Sequence, residues 1–284
     1  MKDFFVPKDL LLFSNSMGMN SDFSVRGFSG GISEAMGTLT VTVISGAAVL
    51  WTPAEIATAQ WFDADDESTI TLNGAAVSQW ADKSGNTRHA AQATPTAQPA
   101  LVASGRNGRD IVVFDGTSDT LPHGFALTSN ICSLFAVASV GAQAGYRGIY
   151  TTNGANATNI MMLARGGTSN WGTYYSNAYR QANTNIQGAG WQILEMLRGG
   201  ISGAYMRNGS ADGSFSGSEG QNGAIGGNAT GSQFCDLSVA EIILLQTNPD
   251  ETTRQKIEGY LAHKWGLTAN LLSGHPYKSA PPTI

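Results

Sequence analysis

Charge is scarce in this chain. Lys, Arg, Asp and Glu supply 13% of its 284 residues, about half the globular norm of roughly 25%, and 21 acidic residues outnumber 16 basic ones. A net charge of -5 without a basic cluster excludes the electrostatic footprint of a nucleic-acid binder, which must neutralise phosphates. Cysteine is rarer still: Cys132 and Cys235 are too few for a disulfide scaffold and read as small buried hydrophobes. The four histidines, His89, His123, His263 and His275, lie far apart and show no zinc-type spacing. Long hydrophobic runs are missing too. The apolar stretches have strand length, well below the ~20 residues that cross a bilayer, so membrane insertion is not expected.

What is abundant is glycine, 35 residues, with Ser, Thr and Asn crowded between short apolar runs. That is the composition of a turn-rich β protein, and the length suits one large β-sandwich with an extension. The best strand candidates are Ile111–Phe114, Ile131–Val140, Ile160–Arg165, Trp191–Leu197 and Phe234–Gln246. Tyr205-Met206-Arg207-Asn208-Gly209 reads as a strand entering an Asn-Gly hairpin turn, where both turn positions need positive φ. Thr52-Pro53-Ala54-Glu55 predicts a single helical turn. Asn248-Pro249-Asp250-Glu251 offers an N-cap with Pro behind it, Gly266 offers a terminator, and the apolar spacing between them predicts an amphipathic helix over about 249–265 with Trp265 inward. Residues 1–50 differ: apart from the alternating run Thr38–Val43, they are too polar and Gly-rich to fold alone, so they are expected to form an anchoring or oligomerisation arm held by the rest of the chain or by another.

The segments Trp61-Phe62-Asp63-Ala64-Asp65, Val77 to Asn86 (VSQWADKSGN), Val113 to Asp119 (VFDGTSD), Lys256 to Leu267 (KIEGYLAHKWGL) and His275-Pro276-Tyr277-Lys278 resemble the ordered blocks of a laminin-G-like, concanavalin A-type lectin family found in phage virion proteins and bacterial surface proteins. The resemblance covers residues 51–284 and implies an antiparallel jelly-roll sandwich. It also implies that the strand at Leu134–Val140 pairs antiparallel with Val239–Leu245, leaving Cys132 and Cys235 at opposite ends as free thiols.

Function is expected to follow from that resemblance together with the N-terminus, where Asp3, Pro7 and Lys8 break any secretory signal pattern. The implied protein is a non-enzymatic phage virion component, a head fibre, capsid decoration or tail-fibre part, assembled in the host cytoplasm and exposed on the virion surface. Its residues 1–50 would meet virion proteins, its body would bind host-surface glycan, and homo-oligomerisation would give avidity. A bacterial cell-surface carbohydrate-binding module is the alternative, and a glycoside hydrolase stands behind it.

Residues with ligand chemistry cluster in one stretch. Trp171, Tyr174, Tyr175, Asn177, Tyr179 and Arg180 interleave rings that stack on sugar faces with amide and guanidinium donors; such residues also pack sheets or meet proteins. Asp63, Asp65, Asp82 and Asp115 are hard oxygen donors for which calcium is the candidate ion, and no other cofactor is expected. Asp63, Asp65 and Glu67 alternate as a glycosidase pair on a strand would, but Asp66-Glu67-Ser68-Thr69 reads as a turn. Asp82 likewise reads as an Asx-type turn residue.

Overall fold

The computed structural model describes residues 48–154, 159–165, 170–220 and 222–284. The strand expected at Thr38–Val43, and with it nearly all of the expected arm, lies outside the described residues. In chain order the strands are β1 (Gln60–Asp63), β2 (Ile70–Asn73), β3 (Ala76–Trp80), β4 (Ala90–Ala91), β5 (Ala100–Arg106), β6 (Arg109–Asp115), β7 (Leu121–Pro122), β8 (Ile131–Val140), β9 (Tyr146–Thr151), β10 (Met161–Arg165), β11 (Gly172–Tyr175), β12 (Ala178–Gln181), β13 (Gln192–Gly199), β14 (Ser202–Arg207), β15 (Ser210–Ser216), β16 (Ala224–Ile225) and β17 (Asp236–Leu245); the α-helix, α1, is Glu251–Lys264.

These strands form two antiparallel sheets. The larger has eleven strands in the order β15-β14-β13-β8-β17-β6-β5-β3-β2, with β1 also on β17 and β4 on β3; the smaller has six, β12-β11-β10-β9-β16-β7. The apolar run Leu134–Ala138 within β8 has a direct explanation. Leu134, Ala136 and Ala138 face the small sheet's Ile149, Met162 and Ala164, while Phe135 and Val137 face Ile257, Leu261 and Trp265 of the helical layer. Both faces of the central strands are therefore covered, each large apolar side chain contributing about 1.5–3 kcal/mol by burial. The chain is an all-β antiparallel sandwich with a helix laid on its larger sheet.

Register follows the expected pairing. Leu237 lies opposite Val140 and Leu245 opposite Ser133, which puts Cys132 and Cys235 at opposite ends of β8 and β17, both buried free thiols. Burial pushes the Cys132 thiol up to about 11. Between Val239 and Glu241 the β17 ladder slips by one residue. Such a bulge resets alternation: Val239 points into the inter-sheet core, whereas Ala240 and Ile243 point to the helix side, and Glu241 bonds helix residues.

The helix starts two residues later than its sequence suggests. Asp250, not Asn248, is the N-cap: its carboxylate accepts from Thr253 N at 2.7 Å, and Asn248 instead accepts from the Ser133 hydroxyl. Gly266 ends the helix at φ 66°, a left-handed turn that a side chain would strain, and Trp265 is fully buried. The turn at Pro53–Glu55 forms as expected, capped by Thr52. Beyond the helix an antiparallel bridge pairs Leu50 with Thr283, flanked by Trp51 N donating to Pro282 O at 2.9 Å and Ile284 N to Val49 O at 3.0 Å.

Candidate functional site

Alternation along β10 turns Met162 and Ala164 toward the core and leaves Met161, Leu163 and Arg165 on the outer face of the small sheet. There Tyr146, Met161, Leu163, Tyr174, Glu219, Gly220 and Gln233 line a cleft of about 320 Å³, at the lower end of the ~300–1,000 Å³ range of ligand pockets. Its floor is apolar and its walls are aromatic and polar. Gly148 on β9 makes one wall possible, because a Cβ there would sit 2.3 Å from Gly227 O; the close approach lets Gly148 N donate to Gln233 O at 2.9 Å.

The tyrosines are held from behind. The Tyr146 ring lies edge-on to Tyr174 at 5.7 Å and tilted against Tyr179 at 5.1 Å. The Arg165 guanidinium stacks on Tyr146 and Tyr179 at 5.0 and 5.2 Å, and the Tyr179 hydroxyl donates to Asn170 O at 2.6 Å. Two polar side chains in the cleft are unspent. The buried Oε1 of Gln233 has no hydrogen-bond partner among the described residues, and that residue also holds a left-handed φ of 57°, a conformation a non-glycine keeps only when its surroundings impose it. No described group pairs with the Glu219 carboxylate, although Glu219 N is anchored on Tyr174 O at 3.1 Å.

Of the ligand residues expected from sequence, only Tyr174 lines this cleft. Trp171 is corrected to a core residue: it is fully buried, packs edge-on to Tyr205 at 5.0 Å and donates to Asp212 at 2.8 Å, because odd positions on β11 face inward. Tyr175 turns the same way and lies against Gly217. Asn177 is a turn residue, left-handed with Ser176 between β11 and β12. Tyr179 acts behind the cleft, and Arg180 lines a separate shallow groove with Ser202 and Ser214. Tyr146, Met161, Leu163, Glu219 and Gln233 were not legible as site residues, since four separate segments converge here.

The four candidate calcium ligands are not gathered into one site. Asp82 accepts from Trp61 N, Ser84 N and Arg88 N, and Asp115 from the amides of Thr117, Ser118 and Asp119. Asp65 pairs with Arg109. Asp63 is buried with Lys83 at 2.9 Å and Lys264 beside it. Among the described residues no group of three or more His, Cys, Asp or Glu is placed to hold a metal ion. The alternation of Asp63, Asp65 and Glu67 is broken as expected, with β1 ending at Asp63 and a 3-10 turn at Glu67–Thr69.

Two buried glutamates lie under α1. Glu241 accepts from Trp61 Nε1 and Trp265 Nε1, each at 2.7 Å, and from the Tyr260 hydroxyl at 3.0 Å, with Lys264 Nζ at 2.9 Å. Burial and the neighbouring Asp63 raise its carboxyl against these donors. Glu195 faces Glu258, which pairs with Arg254 and, at 2.8 Å, His275. Burial, then the Glu258 charge, push the Glu195 carboxyl well above its ordinary value of 4.5, so the fold favours its protonated form. That proton stabilises the fold fully below about pH 4.5 and is lost as pH rises through the raised value. Glu195→Gln should therefore gain stability over the parent as pH rises, by about 1–3 kcal/mol, with no gain near pH 4. Thermal melts across pH 4–8 check this, and parallel curves would show that Glu195 ionises without cost.

No protein-family model matches the chain, and no curated protein does. Solved structures match instead. A Trypanosoma rangeli sialidase in complex with sialic acid aligns with a TM-score of 0.52 at 11% identity, over 77% of this chain and 36% of the sialidase. Domain 4 of an extracellular GH43 arabinanase from Geobacillus stearothermophilus, in complex with arabinotriose, aligns at 0.40 with 15% identity, over 66% of this chain and 91% of that domain. An arabinofuranosidase complexed with arabinofuranosyl-xylobiose aligns at 0.44 with 14% identity, over 64% and 50%. The chain thus spans about a third of the sialidase's length, and the likeness is one of fold. The expectation of a non-enzymatic phage virion protein is corrected accordingly: the neighbours are a sialidase, an arabinanase domain and an arabinofuranosidase, so the structural likeness runs to glycoside-hydrolase folds instead.

Proposed function

We propose that this chain works in glycoside hydrolysis, with its sandwich supplying a carbohydrate-binding module whose site is the cleft of Tyr146, Tyr174, Glu219 and Gln233. One observation carries the reading: an apolar floor, aromatic rings and two unspent polar groups converge in one cavity. Sugars need that mixture, a ring for the C–H face and polar groups for the hydroxyls. The strand order, with β13 and β17 flanking β8, supports a jelly-roll winding of the concanavalin A type and, with it, the laminin-G-like resemblance.

Tyr174→Ala should weaken glycan binding about tenfold or more, roughly 1.4 kcal/mol, and leave the melting temperature within a few degrees because the ring is half-exposed. Titration calorimetry against a panel of plant and animal oligosaccharides checks it; a panel on which the parent chain binds nothing would end the reading. The free Glu219 carboxylate favours a second reading, in which the chain itself cleaves the glycan with Glu219 as one of the two acids such chemistry uses. Release of reducing ends by the parent chain, abolished in Glu219→Gln, would select it.

A further inference from the structure

Resting on that glycan-binding reading, we infer that the cleft selects neutral sugars and rejects acidic ones such as sialic or uronic acids. Tyr146 and Tyr174 present rings, Met161 and Leu163 present hydrocarbon, and the charged side chain among the lining residues is Glu219. The side-chain oxygen of Gln233, buried and unpartnered, is a second acceptor. Both call for hydroxyl donors. A neutral sugar carries such donors on every ring, whereas a sugar carboxylate brings only acceptors and a negative charge.

Placed in this cleft, that charge would stand close to Glu219, where like charges within ~4–6 Å disfavour each other. The cation stacked behind the cleft is already engaged. The Arg165 guanidinium lies on the rings of Tyr146 and Tyr179 and is not among the lining residues. The chain's net charge of -5 opposes a polyanion further, through long-range repulsion that salt screens.

The test uses matched pairs at pH 7 and low salt: lactose against sialyllactose, and a galacto-oligosaccharide against an oligogalacturonate of the same length. Each acidic partner should bind at least about tenfold more weakly, and the gap should narrow with added salt. Glu219→Gln should bring the two partners of a pair within about threefold of each other, whatever it does to affinity overall. Equal or tighter binding of the acidic partner would overturn the inference, as would a ratio unchanged by Glu219→Gln. Tyr174→Ala separates the two levels. If it abolishes binding of both partners while they bind equally to the parent chain, the cleft binds glycan and only the selectivity fails; if neither partner binds the parent chain, the binding reading and the inference fall together.

Discussion

Replacing Lys264 by Met is expected to lower stability by about 3–5 kcal/mol, the cost of leaving a buried charge without its partner. Lys264 is the last residue of α1, and its ammonium reaches both Asp63 on β1 and Glu241 on β17. Asp63 would retain Lys83, so the loss falls chiefly on Glu241. That carboxylate keeps its two indoles and the Tyr260 hydroxyl but has no other cation among the described residues. Because its carboxyl is already raised in the fold, the penalty should be largest above neutral pH and shrink as acid protonates it. At roughly 2–4 °C per kcal/mol for a chain of this size, thermal melts should fall by about 10 °C at pH 7.5 and by much less at pH 4.5. A uniform fall at both would mean that Lys264 contributes packing and not charge.

Trp171→Ala should destabilise by a similar amount, about 3–5 kcal/mol for an aromatic truncated in a packed core. The cavity would open between Tyr205 and the inner face of β11, and Asp212 would lose its indole donor while keeping the Thr184 hydroxyl at 2.7 Å. Trp171→Phe keeps a six-membered ring but loses the pyrrole half of the indole together with that hydrogen bond, for which about 1–3 kcal/mol is expected. Denaturant unfolding of the two variants checks the order. If Trp171→Ala instead leaves the midpoint unchanged and reduces glycan binding, the indole faces ligand and the assignment of inward positions on β11 is wrong.

Trp171 also shows why the site was less legible than the fold. The strand runs Ile131–Val140 and Phe234–Gln246 declare themselves because a central strand covered on both faces is apolar at most of its positions, and the Asn208-Gly209 turn because its two left-handed positions admit few residues. By contrast, the stretch from Trp171 to Arg180 looks like one binding surface in sequence yet alternates across a sheet. Period two divides it, so that Trp171 and Tyr175 go inward while Tyr174 and Tyr179 go out. The residues that complete the cleft come from β9, β10 and the segments before β16 and β17, and no local pattern ties Tyr146 to Gln233. Glu241 was hidden for a different reason: only the bulge after Val239 turns it toward the helix, and bulges leave no mark in hydrophobic patterning.

The bridge between Leu50 and Thr283 has an architectural consequence. It brings the entry and exit of the folded body side by side, as is common in compact domains. Such a body resembles a bead with both threads leaving through one hole. It could be spliced into a surface loop of a carrier protein with a few linker residues on each side, neither stretching the carrier's loop nor displacing its own ends, and transplanted between unrelated scaffolds in the same way.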